Sequence, residues 1–80
     1  MIALSIVTTC STEAEARRLG EGITCALDDA RVLGTSEHRD SEGDRFVSVQ
    51  ITFPAEHDAH VDELLDADNR VVSWRAQPTA

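Results

Sequence analysis

The sequence predicts an α+β sandwich of order β-α-β-β-α-β, and three observations carry that prediction. Apolar residues alternate at Ile2, Leu4 and Ile6, and again at Val47, Val49, Ile51 and Phe53, the period of half-buried strands. They recur at helical spacing at Ala16, Leu19, Ile23, Ala26, Leu27 and Ala30, and at Val61, Leu64 and Leu65. Two shorter runs, Val32-Leu33 and Val71-Val72 with Trp74, stand where the two remaining strands are needed. The result is the split-βαβ or ferredoxin-like plan, an antiparallel four-stranded sheet with two helices on one face. The 80 residues make one domain. A chain this short buries only about 60–65% of its unfolded surface. Any site is therefore expected in a groove, on a sheet face or at a subunit interface.

The first strand is expected from Ile2 to Thr8, with Ala3, Ser5 and Val7 on the face opposite the core. Thr12 is a good helix N-cap, and Glu15 three residues on completes a capping box. The helix is expected to run to Asp29, with Glu13, Arg17 and Glu21 forming a charge ladder. Gly20 falls on its apolar stripe, which predicts close packing on the sheet. Val32 to Arg39 and Arg45 to Phe53 form a hairpin around Asp40-Ser41-Glu42-Gly43-Asp44, a turn-rich segment. In its second strand Phe46, Ser48, Gln50 and Thr52 should face away from the core, leaving an open sheet face. Pro54 closes that strand. The second helix is expected over 55–67, its stripe extended by His57 and His60, with Asn69 as a left-handed stop. Arg70 to Gln77 forms the last strand, and Pro78-Thr79-Ala80 should fray.

Fifteen acids against seven bases set a formal charge of −8. Nucleic-acid binding needs clustered cations that displace counterions from phosphates, and the few bases here are scattered, so no nucleic-acid partner is expected. An anionic membrane surface is disfavoured for the same reason. The apolar runs are too short to span a bilayer, and no basic segment precedes the first one, so a cytosolic protein is expected. Cys10 and Cys25 lie at the start and near the end of one helix, roughly 20 Å apart at ~1.5 Å per residue. Both are therefore expected as thiols. Cys10, at a helix start, should be the more reactive, with Cys25 packed on the apolar flank.

His57 and His60 stand three apart on one helical turn and could share a metal. No fixed spacing supplies further ligands, so boundary histidines are expected, and no cofactor. Trp74 either covers the core or anchors a partner, with packing the expected role. Gly43-Asp44-Arg45-Phe46-Val47-Ser48-Val49 resembles the third-strand motif of RNA-recognition domains. Ser48 and Ala3 stand where that platform needs aromatics, and the acidic charge opposes it. No catalytic constellation can be drawn.

Ile6-Val7-Thr8-Thr9-Cys10 followed by Glu15-Ala16-Arg17-Arg18-Leu19 resembles the opening of the CutA divalent-cation-tolerance family. Over the whole chain the pattern is similar to ACT-like domains, including the C-terminal domain of MgtC-type proteins, where a short helix precedes a closing strand like Val71-Val72-Ser73-Trp74-Arg75. That resemblance implies an amino-acid site at a dimer interface, beside a glycine-containing loop after the first strand. The loop here, Thr8-Thr9-Cys10-Ser11, has no glycine.

The function expected from these features is a non-enzymatic regulatory or protein-interaction module. Its distinctive surfaces are the polar open sheet face and the acidic second helix. Asp58, Asp62, Glu63 and Asp66, with Phe46 and Trp74, are the candidate partner-binding residues, and a basic protein is the partner their charge suits. The alternatives are an ACT-like small-molecule sensor acting as a dimer and a small dimeric ferredoxin-like enzyme.

Overall fold

A computed structural model describes residues 1–78. Of the three residues expected to fray, Pro78 instead ends β4, paired with Ile2, and Thr79 and Ala80 lie outside the described residues. The elements are β1 (Ile2–Thr8), α1 (Glu13–Cys25), β2 (Arg31–Arg39), β3 (Arg45–Phe53), a 3₁₀ turn (Ala55–His57), α2 (Asp58–Ala67) and β4 (Val71–Pro78). The strands lie in the order β2-β3-β1-β4, every neighbouring pair antiparallel. This is the ferredoxin-like arrangement that the sequence predicts. Leu4, Ile6, Val47, Val49, Ile51 and Phe53 from the sheet meet Ala16, Leu19, Ile23, Val61 and Leu65 from the helices in one buried cluster. The period-2 expectation is therefore met at each of those strand positions.

Thr12 caps α1 as expected, its Oγ1 accepting from the Glu15 N–H at 3.2 Å. The Glu15 carboxylate reaches back to the Ser11 N–H at 3.1 Å, one residue earlier than in a capping box. The charge ladder is half formed. Arg17 pairs with Glu21 at 3.0 Å, whereas Glu13 instead accepts from the Thr35 hydroxyl at 2.9 Å.

The first helix is shorter than expected. It stops at Cys25 because the next N–H groups, of Ala26 and Leu27, turn to carbonyls three residues back, tightening the last turn into 3₁₀ geometry. No basic residue occupies that last turn, and Asp28 and Asp29 follow it, where the negative end of the helix dipole disfavours acids. Asp29 then adopts a left-handed φ of 59° and sends the chain into β2. Cys25, still within the helix, is exposed because the buried stripe there runs through Ile23, Thr24 and Leu27, while Cys10 is half-buried. This overturns the expected packing of Cys25; both residues are free thiols.

The second helix also differs. Pro54 is extended and supplies no side-chain cap, so the segment opens with a 3₁₀ turn rather than α-helix. At the other end Asn69 is not left-handed; Asp68 ends the helix in an extended conformation. The Asp68 carboxylate accepts from the Arg70 backbone N–H at 2.9 Å, Nε at 3.0 Å and Nη2 at 2.8 Å. The Arg70 side-chain hydrogen bonds hold its carboxyl below the ordinary value of 3.8. A folded pKa below the unfolded one stabilises the protein above the unfolded value, and that contribution is lost as pH falls through the folded value. Asp68→Asn is expected to cost under about 1 kcal/mol at neutral pH, since the pair is partly solvated. The variant should also lose less stability than the parent on acidification below the ordinary carboxylate range. Denaturant unfolding of both proteins at several pH values checks this.

Candidate functional site

The strand register arranges the uncovered side of the sheet in rows. Gln77, Ala3, Thr52 and Arg31 form one row; Arg75, Ser5, Gln50 and Gly34 form the next; Ser73, Val7, Ser48 and Ser36 form a third. Phe46 and His38 pair beyond them, their ring centroids 6.2 Å apart. Adjacent strands are about 4.8 Å apart, so a row spans about 14 Å. None of the fifteen acids in the chain occupies any of these positions. They lie on the helices, in the turns and, for Glu37, on the helix side of β2, where it pairs with Arg45 at 2.9 Å.

Two bulges shape this surface. In β2 the register shifts between Val32 and Gly34, so Leu33 is an extra residue and stands 56% exposed. It lines a groove with Ala3, Ser5, Gln50, Arg75 and Gln77. In β4 the register shifts between the partners of Val7 and Thr8, and Val72 there is 52% exposed. Neither exposure is visible in the sequence, because two adjacent apolar residues do not reveal which of them keeps the strand parity.

The centre of the face is polar and internally bonded. His38 Nε2 lies 3.2 Å from Ser48 Oγ, which lies 3.1 Å from Ser36 Oγ. The Gln50 amide donates to Ser36 at 3.4 Å and to Ser5 at 3.5 Å. Ser48 is only 3% exposed and Thr52 only 6%, so these two expected open positions are shielded by neighbours on their own face. A histidine beside a serine can activate a nucleophile; here Ser48, though only 3% exposed, lines the second groove beside His38, and its hydroxyl also bonds Ser36.

Of the two candidate metal ligands, His57 is engaged by the backbone and His60 faces solvent. His57 Nε2 donates to the Asp28 carbonyl at 3.2 Å, and His60 is exposed rather than continuing the buried stripe. Three potential ligands do converge at the hairpin tip. Carboxylate oxygens of Asp40, Glu42 and Asp44 lie within 4.8 Å of one another, all on exposed residues. Asp40 is already committed there, accepting the Glu42 and Asp44 N–H groups at 2.9 Å each, while Gly43 takes the left-handed φ of 86° that the turn requires.

Asp58, Asp62, Glu63 and Asp66 are all exposed on α2 and form no ion pair among the described residues. Trp74 is half-buried and packs against the core, as expected, while its edge borders a second groove with Val7, His38 and Arg75. Phe46 is half-buried on the open face. The loop after β1 spends its donors internally: Thr9 N–H bonds Arg70 O at 2.9 Å and Cys10 N–H bonds Thr8 Oγ1 at 3.2 Å. Those N–H groups are not free to cradle a ligand at the place the ACT resemblance indicates. Among the described residues no helix is long and apolar enough to cross a membrane. No protein-family model matches the chain, and no curated protein matches it either.

Proposed function

We propose that the chain is a non-enzymatic, cytosolic protein-interaction module whose α2 surface steers a basic protein partner. One observation carries the reading: the negative charge is segregated. The acids avoid the open sheet face, while α2 presents Asp58, Asp62, Glu63 and Asp66 to solvent without intramolecular partners among the described residues. Like charges at helical spacing cost a few tenths of a kcal/mol per pair, and Asp66 lies near the negative end of the helix dipole. A long-range field that raises the encounter rate with a cationic surface offsets that cost.

The triple substitution Asp62→Asn, Glu63→Gln, Asp66→Asn is expected to stabilise the isolated domain by a few tenths of a kcal/mol. Basic proteins captured from a native-host extract by the parent should be lost or eluted at lower salt from the variant. With a captured protein in hand, association at low ionic strength should slow by about tenfold or more and lose its salt dependence. Capture of the same proteins at unchanged rate and salt sensitivity would sink the steering idea.

A further inference from the structure

The opposite surface of the molecule carries an independent inference. The groove on the open sheet face, about 210 Å³ in volume, is lined by Ala3, Ser5, Leu33, Gln50, Arg75 and Gln77. It adjoins a second groove, with which it shares Ser5 and Arg75. Arg17, Arg45 and Arg70 are paired with acids, whereas the Arg75 side chain has no hydrogen bond or ion pair among the described residues. In a chain of charge −8, this guanidinium stands, with Arg31 in the neighbouring row, on a broad surface that carries no acidic side chain among the described residues.

We propose that this groove binds a small monocarboxylate with an apolar tail and discriminates against the corresponding amino acid. The guanidinium supplies a forked, permanently charged donor matched to a carboxylate. The Gln50 and Gln77 amides and the Ser5 hydroxyl add neutral donors within the same groove. Ala3 and the bulged Leu33 supply the apolar wall, with Leu33 on β2 and Arg75 on β4 at opposite edges of the sheet. The groove's volume lies below the ~300–1,000 Å³ of pockets for drug-sized ligands, and a fragment-sized occupant fits within it. Among the described residues an α-ammonium group would find no carboxylate on this face, and desolvating a charge without a partner is unfavourable. That absence decides between the acid and its amino-acid counterpart.

The test is an amide chemical-shift titration of the full, isotopically labelled chain with isocaproate, leucine and isocaproamide. The parent, Arg75→Gln and Leu33→Ser are compared, both substitutions being at exposed positions. Isocaproate should shift Ala3, Ser5, Gln50 and Gln77 saturably, with a Kd of about 1 mM for so few heavy atoms. Leucine and the amide should bind at least about tenfold more weakly, as should isocaproate to Arg75→Gln, since each loses a charge-assisted bond or leaves a charge unpaired. Leu33→Ser should weaken isocaproate and isocaproamide alike, since it removes apolar contact and leaves the guanidinium. The proposal is overturned by non-saturable shifts, by equal affinity for leucine, or by affinity unchanged in Arg75→Gln. It is overturned too if these resonances move with protein concentration and not with isocaproate, which would assign the face to a second copy. None of these results touches α2, so the steering reading stands or falls separately.

Discussion

Ile51→Ala is expected to cost ~2–5 kcal/mol, while Gln50→Ala, one residue away, should cost under about 0.5 kcal/mol. Ile51 is fully buried and lies at the middle of the sheet, opposite Leu4 on β1 and Val32 on β2. Removing its side chain beyond Cβ leaves a cavity that rigid strands on both sides cannot close. Gln50 is half-buried on the other face, with hydrogen bonds of 3.4 and 3.5 Å that are long for their type. For a domain of this size each kcal/mol moves the melting temperature by about 4–8 °C, so the two variants should separate clearly in thermal unfolding. Equal sensitivity at Gln50 would mean that the open face is covered in solution.

Gly20→Ala and Gly22→Ala should change stability in opposite directions. A Cβ at Gly20 would lie 2.8 Å from Val49 Cγ2, 3.3 Å from Val32 Cγ2 and 3.4 Å from Ile51 Cγ2. Val49 is β-branched, fully buried and in the centre of the sheet, so it cannot swing aside as a long flexible side chain would. The overpacking is expected to cost ~1–3 kcal/mol net, even though alanine is the better helix former by about 1 kcal/mol. At Gly22 an added Cβ meets nothing within 4 Å, so the same replacement should stabilise by ~0.5–1 kcal/mol. Denaturant midpoints of the two variants check this directly. A stabilising Gly20→Ala would mean that α1 does not sit as close to the sheet as described.

The element order and the core face were legible because side-chain direction follows mechanically from backbone period. Once Val47, Val49, Ile51 and Phe53 alternate, one face of that strand must be buried, whatever the neighbours are. Gly20 was legible for a related reason: a residue without a side chain on an apolar helical stripe signals close approach. The helix ends were not, because local signals compete there. Asp28-Asp29 could have extended the first helix, and the choice fell to 3₁₀ bonds that tighten the turn at Ala26 and Leu27.

The candidate site was the least legible part. Arg31 and Arg75 are ordinary surface residues in the sequence, and nothing local separates them from the acids around them. They share a face only because β4 pairs with β1 and β2 pairs with β3, which brings Arg31 and Arg75, 44 positions apart in the chain, onto one surface. Leu33 joins that surface only through a bulge, and His57 Nε2 bonds the Asp28 carbonyl only because the fold brings the end of the α1–β2 loop beside it. Period and propensity act within a few residues of the chain, and these decide strands, helices and core. Strand pairing, bulges and the separation of charge between faces depend on contacts distant in sequence, so only the folded chain decides them.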